Sequence, residues 1–163
     1  MNQNNIYLKS EIAYMKVKIN SSSLEDAEEN LLRLKNSRDV KCPNWNVSEI
    51  CQHCAQSINY SMTGYPQLKP ALIRATVGRA AIHKFLRQGY MKHDLTAPVP
   101  GGSKLDASRN SEESVDELLS TIEKFRSYSG QLLPHLLFGK LSKDEYDSYF
   151  AMHIADHLNE LIF

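Results

Sequence analysis

Hydrophobic residues recur at three- and four-residue spacing in five segments of the chain, a pattern typical of amphipathic helices. The predicted helices cover about residues 23–37, 47–63, 70–89, 114–130 and 142 to the C-terminus. No segment shows the sustained alternation that would predict a strand convincingly. Long amphipathic helices without strands favour an all-α fold, and specifically a helical bundle.

Residues at the predicted helix boundaries agree with this assignment. Pro70 suits the first position of the third helix. Ser114 with Glu117, and Ser142 with Glu145, have the spacing of a capping box, in which the side chains satisfy free backbone N–H groups at a helix start. The sequence therefore predicts that the fourth and fifth helices begin at these serines.

Two segments fall outside the helical pattern. Residues 1–22 form an N-terminal extension in which "IAYMKVKI" half-alternates, so it could be a short strand or a helical extension. Residues 23–163 are expected to form one domain. Within it, residues 88–110 make a turn-rich connection of about 23 residues, and connections of that length are usually functional or mobile.

Composition narrows the functional classes. Lys plus Arg and Asp plus Glu both number 19 in the 163 residues, so zero net charge predicts neither a DNA nor an RNA partner. No apolar run approaches the roughly 18 residues of a membrane span, and the first residues lack the features of a secretory signal. Three cysteines, an odd number, fit a reducing compartment, so a cytoplasmic location is expected.

Candidate chemistry lies in the last helix, where His153 and His157 are four residues apart and share one face. Both fall within the apolar stripe of that helix, which comprises Tyr146, Phe150, Ile154 and Leu161. Buried imidazoles need partners, and a shared metal ion would satisfy both. Buried, hydrogen-bonded histidines and a surface pair on a helix of different rotation stay open as alternatives. Ile154 follows His153, so this is not the HExxH motif of metalloproteases.

Two ligands leave a metal ion under-coordinated, because a catalytic zinc-like site usually has three protein ligands. The candidates for a third ligand are the cysteines and the remaining histidines, His53, His83, His93 and His135. His83 and His93 are expected at the surface or in a loop, and His135 is a reserve ligand.

Two stretches, "PNWNVSEICQHCAQSINYSMTGYP" and "LLFGKLSKDEYDSYFAMHIADHL", resemble the DinB/YfiT-like metalloenzyme superfamily, most closely a branch of unknown function. The shared features are a Trp-x-x-x-Glu-x-x-x-His start, an apolar-Phe-Gly-Lys-Leu-Ser segment and a terminal His-x-x-x-His, in this order. The resemblance covers most of the chain, from the first predicted helix to the C-terminus.

The resemblance implies a bacterial four-helix bundle with up-down-down-up connections, here with an extra crossover helix and a long loop. It implies a divalent metal ion, nickel or zinc, held by His53, His153 and His157. It also implies a small-molecule substrate and a homodimeric assembly. The activities it implies are transfer that uses a low-molecular-weight thiol, or hydrolysis.

The second helix by itself does not place His53 in the core. On a helical wheel His53 lies roughly 135° from the centre of the apolar stripe. A flanking residue near the start of a bundle helix can nevertheless reach the mouth of the bundle, where a metal ion would be accessible to substrate. Cys51 and Cys54 lie near the middle of that stripe and are expected to be core residues.

Other interpretations of Cys51 and Cys54 are weaker. A redox CxxC belongs beside a βαβ pattern, and a four-cysteine zinc site needs a second pair, whereas only Cys42 remains. A mixed histidine and cysteine metal site stays open.

Trp45 and Tyr65 could line the mouth of the bundle or belong to its core.

Asp156, next to His157, could orient an imidazole, but a solvated aspartate on the outer helix face is the simpler expectation.

The sequence leaves three functional hypotheses. The first is a metal-dependent transferase or hydrolase acting on a small molecule. The second is a metal- or ligand-binding bundle without catalysis, and the third is a helical interaction protein in which the histidine spacing is coincidental.

Overall fold

The computed structural model describes residues 18–163, and within that range the chain is helical, with two isolated β-bridges and no strand. Helix α3 is a composite of Ala71–Ile73, the π-helical turn Arg74–Gly78 and Arg79–Gln88. The other helices are α1 (Leu24–Lys35), α2 (Val47–Thr63), α4 (Ser111–Ser127) and α5 (Lys143–Leu158). The all-α expectation is confirmed for this part of the chain. None of its helices combines the length and the apolar character that crossing a membrane requires.

The helix starts are set by side-chain caps. Ser142 forms the predicted capping box, its hydroxyl accepting a 3.1 Å hydrogen bond from the backbone N–H of Glu145. The box predicted at Ser114 is wrong, because α4 begins at Ser111 behind the N-cap Asn110. Asn caps a helix as well as Ser does. The N-cap therefore lies four residues earlier than predicted, and Ser114 is buried inside the helix.

The helices pack around one hydrophobic core. Helix α2 packs against α4 and α5, α1 packs against the same two helices, and α3 packs against α5. Each helix contributes fully or almost fully buried apolar side chains to this core: Leu31, Ile58, Ile82, Ile122 and Phe150. Helix α2 and helix α5 are therefore neighbours, which brings the two histidine-bearing segments of the sequence together.

The connection from α3 to α4, residues 89–110, is called the covering loop here because it lies over the N-terminal half of α2. The Gln52 side chain donates a 2.8 Å hydrogen bond to the carbonyl of Asp106 and accepts one of 3.0 Å from the backbone N–H of Asp106. As a result, the polar face of α2, which would be exposed to solvent in an ordinary amphipathic helix, is buried at Ser48, Gln52 and His53.

The N-terminal extension is described only from residue 18, so most of "IAYMKVKI" lies outside the described residues. Ile19, the last residue of this stretch, is hydrogen-bonded to the C-terminal end of α5. The Ile19 backbone N–H donates to Asn159 Oδ1 at 2.8 Å, and Asn159 Nδ2 donates to the Ile19 carbonyl at 2.7 Å.

Gly78, in the π-helical turn of α3, allows a close approach of two backbone segments. A Cβ atom at this position would lie 1.9 Å from the Leu137 carbonyl oxygen, much closer than atoms can pack. Helix propensity alone predicts that Gly78→Ala stabilises the protein by roughly 1 kcal/mol. We expect the opposite, a loss of about 1–3 kcal/mol, because backbone has to move to admit the methyl group.

Urea unfolding monitored by circular dichroism measures this effect. Thr76→Ala is the matched control, since Thr76 is exposed in the same turn and its replacement should change stability by no more than about 0.5 kcal/mol. A Gly78→Ala protein as stable as the wild type would show that α3 does not pack on residue 137 as described.

Candidate metal centre

The three histidines predicted as metal ligands come together between α2 and α5, and a fourth histidine joins them. Helix α2 supplies His53 and α5 supplies His153 and His157, while His93 comes from the covering loop. One ring nitrogen from each of the four lies within 4.8 Å of the other three. His93 lies in a loop, as expected, but it joins the cluster although it was not one of the three predicted ligands.

Two of the distances between ring nitrogens match those of ligands around one metal ion. His53 Nε2 lies 3.2 Å from His153 Nε2, and His93 Nε2 lies 3.2 Å from His157 Nε2. A metal ion bound to imidazole nitrogens at about 2.0–2.1 Å holds adjacent nitrogens roughly 3.0–3.4 Å apart. The four-histidine cluster could therefore hold a metal ion.

Burial keeps the helix-borne histidines in the state that binds metal. His53, His153 and His157 are 5%, 3% and 0% exposed. Burial, with repulsion from neighbouring imidazolium groups as a smaller cause, lowers the pKa of His53 to about 4 and that of His157 to about 2. The same causes place the pKa of His153 well below its ordinary value. All three rings are neutral near pH 7, as metal ligands have to be.

A buried carboxylate orients His93. Asp156 Oδ2 lies 2.9 Å from His93 Nδ1 and accepts a 3.1 Å hydrogen bond from the backbone N–H of the same residue. The Asp156 Oδ1 atom accepts a 2.7 Å bond from Lys92 Nζ. Burial opposes ionisation, yet the bonds from His93 and Lys92 keep the pKa of Asp156 below its ordinary value. The carboxylate thus holds the His93 proton on Nδ1 and leaves the Nε2 lone pair facing the cluster.

The solvated position expected for Asp156 is wrong, since only 2% of its side chain is exposed. The alternative, an aspartate that orients an imidazole, describes its contacts better, although the partner is His93 and not the adjacent His157. Helical periodicity could not reveal this contact, because His93 lies in a loop 63 positions earlier in the chain.

Aromatic rings support the histidines from outside. Trp45 stacks on His157 with ring centroids 5.9 Å apart and an interplanar angle of 10°, and it also contacts His53 at 5.1 Å. Tyr149 stacks on His153 at 5.5 Å with an angle of 8°. Trp45 therefore belongs to the surroundings of the site. Tyr65 is instead a core residue that donates a 2.9 Å hydrogen bond to the Ser57 carbonyl.

The cysteines of α2 are core residues, as predicted. Cys51 and Cys54 are 0% and 1% exposed, and both are free thiols. Burial raises the pKa of Cys51 to about 12 and that of Cys54 well above its ordinary value. Thiols in this environment are inert, which argues against a redox CxxC motif. Neither cysteine belongs to the group of four ligand atoms.

His135, the reserve ligand, lies in a different network. Its Nδ1 atom accepts hydrogen bonds from the backbone N–H groups of Leu137, at 3.2 Å, and Phe138, at 3.1 Å. Its Nε2 atom is 3.2 Å from the Tyr149 hydroxyl. His135 therefore organises the turn before α5 and does not join the cluster. His83 is exposed on α3, as expected.

The fold and the site together define a helical protein with a four-histidine cluster that could hold a metal ion. The chain belongs to the DUF1569 family, described as proteins of unknown function, whose family model matches residues 14–162. No curated protein and no solved structure matches the chain.

Proposed function

We propose that the protein binds a divalent metal ion at the four-histidine cluster and uses it in a transfer or hydrolysis reaction on a small molecule. The observation that carries this proposal is the convergence of four imidazole nitrogens within 4.8 Å of one another, two pairs of them 3.2 Å apart. The resemblance to the DinB/YfiT-like superfamily supports it as well, because it implies the same three helix-borne histidines as ligands. We also propose the fold that the resemblance implies, a four-helix bundle with up-down-down-up connections in which α3 is the crossover helix.

The donor set favours particular metals. Imidazole nitrogens suit zinc, nickel and copper, whereas magnesium and calcium prefer oxygen ligands. Of these, nickel and zinc are the proposed metals, because the resemblance implies them. His53, His153 and His157 are carried by helices, so the packing of α2 against α5 fixes their backbone positions around the site.

A bound divalent ion supplies Lewis-acid chemistry, lowering the pKa of a coordinated thiol or water so that a nucleophile is available near neutral pH. The surrounding side chains set the conditions for this chemistry. Asp156 holds the proton of His93 on Nδ1. Trp45 and the covering loop shield the histidines from bulk water, which strengthens electrostatic interactions within the site.

The test compares metal-stripped protein with protein reloaded with nickel or zinc. Each form is offered a low-molecular-weight thiol with an electrophilic acceptor, and separately a set of small esters and amides. We expect turnover only in the reloaded form, and none in His153→Ala. His83→Ala, which alters an exposed histidine of α3, should keep full turnover.

Equal turnover by stripped and reloaded protein would contradict a metal-dependent reaction. Stoichiometric metal binding without turnover of any substrate would favour the second candidate function, a metal-binding bundle without catalysis. The buried, closely packed surroundings of the cluster are the observation that keeps this candidate open.

A further inference from the structure

We propose that His93 is an exchangeable fourth ligand, held at the cluster by Asp156, and that a small anionic donor replaces it. This inference rests on the proposed metal site and adds to it a route by which an incoming molecule reaches the ion. His53, His153 and His157, which lie on helices, are the permanent ligands, and His93, which lies on the covering loop, is the exchangeable one.

The backbone around His93 differs from that of the other three histidines. His53, His153 and His157 lie within helices, where main-chain hydrogen bonds of α2 or α5 hold the backbone of each ligand. His93 lies in a stretch without helix or strand, four residues after Gly89 ends α3 in the left-handed conformation (φ +73°). Its displacement would break no hydrogen bond of a regular element.

Exposure shows the same asymmetry. The three helix-borne histidines are at most 5% exposed, whereas 22% of the His93 side chain is exposed. Its neighbour Lys92 has a side chain that is 72% exposed. The His93 side of the cluster therefore faces solvent, and a small molecule would meet His93 first.

The Asp156 carboxylate, together with the buried side chain of Met91, holds this part of the loop in place. Asp156 accepts hydrogen bonds from Lys92 Nζ and the His93 backbone N–H, and it lies within hydrogen-bond distance of His93 Nδ1. The loop is attached to α2 at its far end, through Gln52 and Asp106. Asp156 is thus a positioning residue, whose contacts decide whether His93 points at the cluster.

The charge balance indicates what would replace His93. Four neutral imidazoles bring no negative charge to a divalent cation. In residues 18–163, Asp156 is the acidic side chain that hydrogen bonds tie to the cluster, and Lys92 already pairs with it. A buried divalent charge without compensation is unfavourable, so an anionic donor such as a thiolate or carboxylate is favoured over a neutral one.

The experiment uses the full chain loaded with Co²⁺, whose visible spectrum reports the number and kind of ligands. Wild type, His93→Ala, His157→Ala and the control His83→Ala are each titrated with azide, 2-mercaptoethanol and neutral imidazole. We expect folded His93→Ala to keep stoichiometric Co²⁺ binding, and His157→Ala to lose it. Azide and thiol should change the wild-type spectrum and should bind more tightly to His93→Ala.

Asp156→Asn tests the positioning role without removing a ligand. It should lower the affinity for Co²⁺ by about 10–100-fold and raise the affinity of the loaded protein for azide over wild type, because His93 is held less firmly. Asp39→Asn, at an exposed position, is the matched control and should behave as wild type.

Specific results would overturn the inference. If His93→Ala loses Co²⁺ as completely as His157→Ala, and anions leave the wild-type spectrum unchanged, His93 is a permanent ligand and the proposed metal site still stands. If imidazole binds as tightly as azide, the preference for anions is wrong. If folded wild-type protein does not bind Co²⁺, the proposed function itself fails.

Discussion

Replacing His157 by alanine is expected to abolish binding of nickel, zinc and cobalt while leaving the helical fold intact. His157 is fully buried, and its Nε2 atom is one of the four that converge. No other histidine can take its place, because His135 is engaged by the backbone of the turn before α5 and His83 is exposed on α3. The increase in melting temperature that metal gives the wild type should disappear with it.

Isothermal titration of metal-stripped protein measures the loss, and circular dichroism checks that the variant is folded. His83→Ala is the control, since it removes an imidazole of the same helical protein from an exposed position and should bind as wild type. If folded His157→Ala protein binds metal with wild-type affinity, the metal ion is not bound at the four-histidine cluster.

The metal-free protein is expected to lose most of its stability between about pH 6.5 and pH 4. Burial lowers the pKa of His53 from 6.5 to about 4 and that of His135 from 6.5 to about 3. In this pH window the unfolded chain binds protons that the folded chain excludes, so stability falls as pH falls. At about 1.4 kcal/mol per unit, His53 alone accounts for roughly 3 kcal/mol, a large part of the 5–15 kcal/mol typical of a domain.

Urea unfolding in the presence of a chelator, at intervals from pH 7.5 to pH 4.5, tests this expectation. His135→Gln should flatten the dependence on pH, because it removes one buried group that the unfolded state protonates, whereas His83→Ala should keep the wild-type slope. A free energy of unfolding that stays constant down to pH 4.5 would show that the buried histidines do not resist protonation.

The helices and part of the site follow from local sequence patterns. His153 and His157 could be predicted because their four-residue spacing and the apolar stripe of α5 both depend on the geometry of a single helix. Capping chemistry located the start of α5 at Ser142, but it located the start of α4 wrongly, because Asn110 offers an equally good cap upstream.

The contacts made by the covering loop could not be predicted in this way. The wheel placed His53 off the apolar centre of α2, and the structure buries it because the loop and α5 cover that side of the helix. Similarly, His93 and Asp156 approach each other only after the loop folds back onto α5. Long-range contacts of irregular segments have no periodicity, so spacing arguments cannot detect them.

The most direct test of the metal site is elemental analysis combined with X-ray absorption spectroscopy of the untagged chain after exposure to nickel or zinc. We predict one ion per chain, bound by imidazole nitrogens at about 2.0–2.1 Å. Folded protein that takes up no ion under any loading condition, or an ion whose ligands are sulfur atoms, would contradict it.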